Sequence, residues 1–450
     1  MASTGKPSSS DLAERLAAAV APTIAPGAHL ALGLSGGIDS VALLSILLEL
    51  APALRFSLRA VHINHGISPN AGRWSVFCAE LCRRLGVPFQ LETVDIAPYR
   101  GLGLEGAARR ARYDVFARLE ADMVVLAQHR DDQAETLLLQ LLRGAGIRGL
   151  AGMPRLRAFH GARARLLRPL LDISREQIES YARDRGLEWV EDESNADTAR
   201  QRNFLRHDVI PLLERQFPAA AATIARSAAH LAEAGRLLDE MARADLERSG
   251  GGTAVEILLL RELGDARAKN LLRYMCDVRG IPPLSAARLG ELLRQLREAR
   301  IDACVRLEAP GWEFFRYRGK LYLEPAREPV QPEWCETWNG ENALPLLMLG
   351  GVLRFKPEEG RGLSVELLRS AAVTVRLRQG GEHLQPDRRR PRRTLKNLFQ
   401  ERGVPPWRRG ILPLLYCGEM LISAPGVAED CSFQAAPGKP GLIVTWEPFE

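Results

Sequence analysis

Four short apolar runs, His29–Leu34, Leu58–Ile63, Pro88–Val94 and Met123–Ala127, recur at roughly thirty-residue spacing with helical patterns between them. That rhythm predicts βαβ units, whose crossover helices force the strands to lie parallel. Helices then cover both faces of the sheet, and ligands enter at the carboxyl ends of the strands. Three polar clusters fall just after a predicted strand: residues 35–40, His62-x-Asn64-His65, and His129. The expected fold class is therefore α/β, with a doubly wound, mainly parallel sheet. One ordinary core does not accommodate 450 residues, so further domains are expected.

The first cluster is Ser35-Gly36-Gly37-Ile38-Asp39-Ser40, followed by the apolar run Val41–Leu50. The order reads as strand, glycine turn, helix. Adjacent glycines allow close approach of backbone to ligand. The first N–H groups of the following helix have no intrahelical partner, so an anion can sit there. Ser35 and Ser40 add hydroxyls, and Asp39 adds a carboxylate able to hold Mg²⁺. No lysine follows the glycines, which excludes the Walker loop. The segment suits a pyrophosphate group. A plain strand-to-helix turn requires neither serine nor the aspartate.

Charge narrows the partners. The net charge is +6, and only six of the 61 cationic residues are lysine. Residues 136–171 contain no acid but carry Arg143, Arg148, Arg155, Arg157, Arg163, Arg165 and Arg168. A second concentration is Arg388, Arg389, Arg390, Arg392, Arg393 and Lys396. Two such zones read as the footprint of a large polyanion. The seven cysteines are scattered and form no C-x-x-C pair, which fits a reducing cytoplasm. The run Val41–Leu50 is far too short to span a bilayer, and no basic segment precedes an apolar one at the N-terminus. The expectation is a cytoplasmic protein with no membrane partner. Residues 1–10 read as a polar tail.

Beyond the α/β region, residues 219–248 predict one long helix, and 265–300 predict more helix broken at Pro282-Pro283. Residues 305–324 read as a β-hairpin turning at Arg318-Gly319. Residues 328–362, rich in Pro, Gly and Trp, read as a linker or irregular edge strands; residues 373–427 read as a small α+β unit. The expected domains are 1–27 (tail and first helix), 28–215 (nucleotide-binding), 216–327 (helical, with the hairpin), 328–370 (linker or edge segment) and 371–450 (α+β).

Two helices carry candidate chemistry. In His129-Arg130-Asp131-Asp132-Gln133-Ala134-Glu135, Asp131 suits a helix start, while Asp132 and Glu135 share one face. An acidic pair beside a nucleotide loop can orient an ammonium group or take a proton from it. Glu105, Arg109 and Arg112 stand at helical spacing, a pattern that also suits a solvated face. Arg202 and Arg206 suit phosphates or the upstream acids Glu191, Asp192 and Glu193. His62 and His65 suit strand-end packing or a nucleobase contact better than a metal.

Taken together, SGGIDS, VHINHGIS, GLEGAARRARY, HRDDQAETLLLQLLRGAGIRGLAGM, RPLLDISREQIESYA, EDESNADTARQRNFLRHDVIPLL, RLRQGGEHLQP and RRTLKNLFQERGVPPWRRGILPLL resemble the tRNA(Ile)-lysidine synthetases of the PP-loop ATP pyrophosphatase superfamily. Gln128 departs, standing where the family often carries another His. The resemblance implies a PP-loop, adenine nucleotide alpha hydrolase-like sheet with a helical middle domain and a C-terminal tRNA-binding domain. It implies ATP and Mg²⁺ as cofactors, with L-lysine and tRNA(Ile) bearing a CAU anticodon as partners; a homodimer is compatible with the sequence. The implied reaction adenylates C2 of the wobble cytidine and then ligates lysine there, releasing AMP and diphosphate. By the same resemblance Asp39, His129, Asp132, Glu135 and Arg112 are the expected catalytic residues. Residues 35–40 and His62 would hold ATP, with Asp39 on Mg²⁺. Asp132, Glu135, Glu105, Arg109, Arg202, Arg206, Arg389, Arg390, Arg392, Arg393 and Lys396 would meet lysine or tRNA. The alternative is a PP-loop tRNA thiolase acting on an anticodon-loop base.

Overall fold

The structure, a computed structural model, describes residues 9–159, 163–250, 254–299, 306–327, 330–331 and 333–449. Of the expected tail, residues 1–8 lie outside the described residues, and Ser9 and Ser10 already belong to a helix. The chain divides into two compact units, Met1–Arg248 with Asn270–Gly280, and Ser249–Lys269 with Ile281–Glu450.

In the first unit, helix α1 (Ser9–Val20) precedes strand β1 (His29–Gly33), α2 (Ile38–Leu54), β2 (Ser57–Asn64), α3 (Ala71–Leu85), β3 (Phe89–Thr93), α4 (Gly103–Arg118), β4 (Met123–Val125) and α5 (Arg130–Leu142). Then come α6 (Ile147–Leu150), β5 (Leu156–Ala158), β6 (Arg165–Leu167), α7 (Arg175–Asp184), α8 (Gln201–Phe204), α9 (Ile210–Gln216) and α10 (Ala220–Arg248). The sheet has the order β3-β2-β1-β4-β6-β5. Every pairing is parallel except β5 with β6, so the mainly parallel sheet expected from the sequence is present.

The strands are apolar on both faces because helices cover both. Leu30 and Leu32 pack with Leu16, Leu43 and Leu47 of α1 and α2, whereas Ala31 between them packs with Val115, Phe116 and Val124. Alternate side chains of one strand thus feed two cores. The chain runs outward from β1 through β2 to β3, then returns across to β4. This reversal opens a crevice between β1 and β4 at their carboxyl ends. The loops that leave these strands hold residues 35–37 and His129.

The long helix α10 falls with the first unit rather than with the domain drawn after residue 215. Its Ala221 joins a small buried cluster with Ala134 of α5 and Ile210 of α9. Pairing of apolar faces, not composition, sets that boundary.

The second unit begins with β7 (Ala254–Glu256) and α11 (Ile257–Glu262), shares α12 (Asp265–Val278) with the first, and continues with α13 (Ala286–Glu298), β8 (Arg306–Ala309), β9 (Trp312–Tyr317) and β10 (Lys320–Pro325). The hairpin β9–β10 turns at Arg318 and Gly319, both at positive φ, as a tight two-residue turn requires. Residues 301–305, including the first residue of the predicted hairpin, lie outside the described residues.

Of the two readings of residues 328–362, linker or irregular edge strands, strands are what is found, and the linker is corrected. Residues 335–364 supply β11 (Cys335–Trp338), β12 (Ala343–Leu346), β13 (Gly351–Glu359) and β14 (Leu363–Ser364). Strand β13 pairs along its whole length with the last strand, Pro440–Pro448, and lies inside a four-stranded sheet. Leu353 and Phe355 alternate with exposed Arg354 and Lys356, so the two-residue period was there. Flanking glycine, proline and glutamate masked it. Between Val373 and Glu429 the chain adds four strands that join β11 in a five-stranded antiparallel sheet on the same core, and a separate two-stranded pair, His383–Leu384 with Arg393–Thr394. No helix among the described residues is long and apolar enough to cross a membrane.

Candidate active site

The turn after β1 is shaped by its glycines. Gly36 has φ of +89°, and a Cβ there would lie 2.8 Å from Val190 Cγ2 and 3.1 Å from Cys78 Sγ. Only glycine fits. Gly37 is the N-cap of α2 and has no side chain to satisfy the first amides of the helix. The amides of Ser40 and Val41 already bond to the Gly37 carbonyl. Those of Ile38 and Asp39 face outward as an anion bed. Ser35 and Ser40 lie beside it, their hydroxyls 3.1 Å apart.

Asp39, on the first turn of α2, points to the next strand end. Its Oδ1 is 3.8 Å from His129 Nε2, and Arg175 Nη1 donates to its Oδ2 at 3.2 Å. The Oδ1 atom is buried without a hydrogen-bond partner. Burial pushes the Asp39 carboxyl above its ordinary range, against the pull of His129 and Arg175.

His129 is 1% exposed and is the N-cap of α5. Its backbone N–H donates to Asp132 Oδ2 at 3.0 Å. Asp131 and Asp132 each place a carboxylate oxygen 3.5 Å from a ring nitrogen. Burial opposes the imidazolium, but Asp132, Asp131 and Asp39 outweigh it and hold the His129 pKa above the ordinary value. Asp131 is itself drawn down to about 2: burial raises it, but the nearby His129 ring and the hydrogen bond from the Arg175 amide prevail.

The expected acidic pair is present but not open. Glu135 is 1% exposed and accepts from Arg202 Nε and Arg206 Nε, each at 2.6 Å. Asp132 Oδ1 accepts from Arg202 Nη2 at 2.9 Å and Arg206 Nη2 at 3.0 Å. Two carboxylates and two guanidiniums therefore balance. Arg202 on α8 and Arg206 in the wide π-turn after it do not meet residues 191–193, the local acids. One acid of that trio, Glu193, accepts instead from Ser68 and Asn70.

Around this centre, His62 is 5% exposed and its Nδ1 lies 2.8 Å from the Leu34 carbonyl, so it braces the strand before the glycine turn. His65 has a buried Nδ1 without a partner, and burial, with Arg112 and His62 nearby, lowers its pKa to about 4. Arg109 contacts Tyr113, and Glu105 acts on Arg112 through its charge. Gln128, at the unusual position, accepts from Arg168 Nε at 3.0 Å.

Arg175, which the sequence reading passed over, and Asp131, read there only as a helix start, both stand at this centre. The signal was there: Ser174-Arg175-Glu176-Gln177 is a capping box, with the Ser174 side chain accepting from the Gln177 amide. It places Arg175 on the first turn of α7, where its amide donates to Asp131 at 2.9 Å.

In the second unit, Arg388, Arg389, Arg390, Arg392 and Lys396 are exposed, while Arg393 is tied to Glu401. Arg390 and Arg392 lie at 3.9 Å and 4.0 Å from Asp387 and Asp430. Arg388, Arg389 and Lys396 have no carboxylate partner among the described residues.

Residues 8–213 match the PP-loop domain, 256–322 the TilS substrate binding domain and 373–446 the TilS substrate C-terminal domain. The tRNA(Ile)-lysidine synthase of Nitrosomonas europaea is 44% identical over 95% of this chain and 93% of its own length. Those of Azoarcus sp. and Coxiella burnetii are 41% and 38% identical, each over 95% of this chain and 94% and 95% of their own.

Proposed function

Because the chain belongs to the tRNA(Ile)-lysidine synthase family, we propose that it ligates free L-lysine to C2 of the wobble cytidine in tRNA(Ile) with a CAU anticodon. The cytosine C2 oxygen attacks the α-phosphate of ATP, and diphosphate leaves. The lysine ε-amine then attacks C2, the C2–O bond breaks, and AMP departs.

The observation that carries this reading is the approach of Asp39 to His129, 3.8 Å apart at the carboxyl ends of adjacent strands. It brings the anion bed after β1 beside the buried imidazole after β4. The free amides of α2, with Ser35 and Ser40, receive the departing diphosphate. The His129 ring, whose pKa three carboxylates draw up, faces the phosphate of the adenylated base. Extruding the cytosine from its stack costs a few kcal/mol, which tRNA contacts elsewhere offset.

Asp39 is also the residue that would hold Mg²⁺. Its Oδ1 is buried and partnerless, and Mg²⁺ takes one or two carboxylates and completes its shell with phosphate oxygens and water. No group of three or more metal-ligating side chains occurs among the described residues, consistent with a site completed by the nucleotide. When bound, the ion spreads the charge of the departing diphosphate.

Lysine arrives as a cation. Asp132 and Glu135 are the acids that recognise it, and its ammonium competes with Arg206 for them. The base that takes the ammonium proton lies on this same face. A thiolase would need a thiolate instead. Cys78 and Cys82 are buried, and burial pushes their thiols up to about 12 and about 11.

The test is incubation with ATP, radiolabelled lysine and a tRNA(Ile) transcript, beside a methionine tRNA with the same anticodon. Label enters only the isoleucine tRNA, with AMP and diphosphate released. A tRNA(Ile) that stays unlabelled while the protein binds it overturns the reading.

A further inference from the structure

Tyr113 on α4 lies at the centre of a cluster of arginines that form no ion pair with a carboxylate among the described residues. Arg109 stacks over its ring, 5.0 Å from the centroid, and reaches its hydroxyl at 3.4 Å. Arg168 donates to the same hydroxyl at 3.1 Å, to Gln128 Oε1 at 3.0 Å and to the Pro154 carbonyl at 2.8 Å. Arg112 shares the α4 face of Arg109, three residues on. Phe159 packs edge-on against Tyr113, which brings the end of β5, with Arg157, to the same place.

Arg168 is 1% exposed. Its three acceptors are all neutral, so its hydrogen bonds are satisfied but its charge is not. A buried charge without a counter-charge is costly. None of Arg109, Arg112, Arg157 and Arg168 pairs with a carboxylate within 4.0 Å among the described residues. The contrast with Arg202 and Arg206, which meet two carboxylates, is direct. The Tyr113 phenol reports the same field: burial raises it, yet Arg109, Arg168 and Arg157 bring it below its ordinary value.

The sheet fixes where this cluster lies. Gln128 and Arg168 follow β4 and β6, which are neighbours, and Gln128 immediately precedes His129. Along the carboxyl edge the order is anion bed at β1, His129 at β4 and Arg168 at β6. Arg168 and Gln128 stand on the β6 side of His129, away from the diphosphate bed, whereas Arg112 reaches toward His65 after β2.

We propose that Arg109, Arg157 and Arg168, gathered around Tyr113, seat a phosphodiester of the tRNA backbone next to the nucleotide being modified. The proposal rests on the tRNA reading above. Guanidinium forks match phosphate oxygens in pairs, and the missing anion completes the charge balance of Arg168. Arg168 and Gln128 are positioning residues; Arg109 and Arg157 make the contact. The acid-free stretch 136–171 thereby acquires a role for two of its arginines.

A phosphate could also come from ATP, and the experiment separates the two sources. Full-length wild type, Arg157→Gln and the double variant Arg109→Gln/Arg157→Gln are titrated with full-length tRNA(Ile) carrying a neutral methylphosphonate at each anticodon-loop position in turn. Wild type loses about tenfold in affinity at one position, and the double variant loses the sensitivity there. Its plot of log K against log salt flattens by about one to two. ATP affinity without tRNA stays unchanged. Persistent methylphosphonate sensitivity in the double variant, or a wild type insensitive at every position, overturns the seat. A drop in ATP affinity assigns the cluster to the nucleotide and overturns it too. Arg157 is exposed, so its single variant reports even where the double variant fails to fold. A wild type that binds tRNA but incorporates no lysine overturns the reaction and leaves the seat measurable.

Discussion

Arg202 Nε and Glu135 Oε2 lie 2.6 Å apart at a carboxylate that is 1% exposed. The two stand 67 positions apart in sequence and do not meet alone: Arg206 closes the other oxygen at the same distance, and Asp132 binds both guanidiniums. Removing one member of such a buried set leaves an uncompensated charge, at a cost of about 3–5 kcal/mol. Glu135→Ala is therefore expected to lower Tm by several degrees, whereas Arg294→Gln, on an exposed helix face, leaves it unmoved. Thermal melts of both variants check this. Equal Tm values would mean that the quartet is not a structural unit.

Asp39→Asn keeps the size of the side chain and removes its charge. Asp39 is expected to act on the departing diphosphate and not on tRNA binding. The variant should release diphosphate at least about a hundredfold more slowly in the presence of ATP and tRNA. Its tRNA affinity should stay within about twofold of wild type, as filter binding measures. Wild-type diphosphate release from Asp39→Asn would remove the loop from the chemistry.

How far such residues could be read in advance depended on the range of the contact. The glycine turn was legible because Gly36 answers a local demand, a positive φ with Val190 pressed against it. Asp132 and Glu135 on one face followed from helical spacing alone. Their pairing with Arg202 and Arg206 did not, because it depends on how α8 packs against α5, which no local pattern encodes. Local acids at 191–193 looked nearer in sequence and lie elsewhere in space. Strand β13 was hidden for a different reason. Its partner is the last strand of the chain, and its alternation is short and bounded by turn residues. Gln128 departed from pattern, and only the Arg168 contact gives it a purpose.

His65 gives a pH dependence with a definite sign. Burial first, then Arg112 and His62, lower its pKa to about 4 from 6.5. Between those values the unfolded chain binds a proton that the folded chain refuses, so stability falls as pH drops. The contribution is complete above 6.5 and is lost progressively toward pH 4. Solvent screening at this partly exposed ring reduces the effect, so relative to His65→Gln wild type should lose roughly 1–2 kcal/mol between pH 7 and pH 4. Urea denaturation of both proteins across that range provides the comparison. Parallel curves would show that the imidazole is not held neutral.

The C-terminal arginines should not be equivalent, and their ion pairs say how they differ. Arg393 is engaged with Glu401, so its charge is already answered within the domain. Arg388 and Arg389 are exposed with no carboxylate partner among the described residues. Each free cation that meets an RNA phosphate releases counterions, at a slope of about 0.7–0.9 in log K against log salt. Arg388→Gln/Arg389→Gln should therefore weaken tRNA binding and flatten the salt plot by about one to two. Arg393→Gln frees Glu401, which adds a local negative charge, and so weakens binding with a smaller change in slope. Filter binding at four salt concentrations distinguishes the two. A steeper loss of slope in Arg393→Gln than in the double variant would mean that the Glu401 pair opens on binding and that Arg393, not its free neighbours, carries the contact.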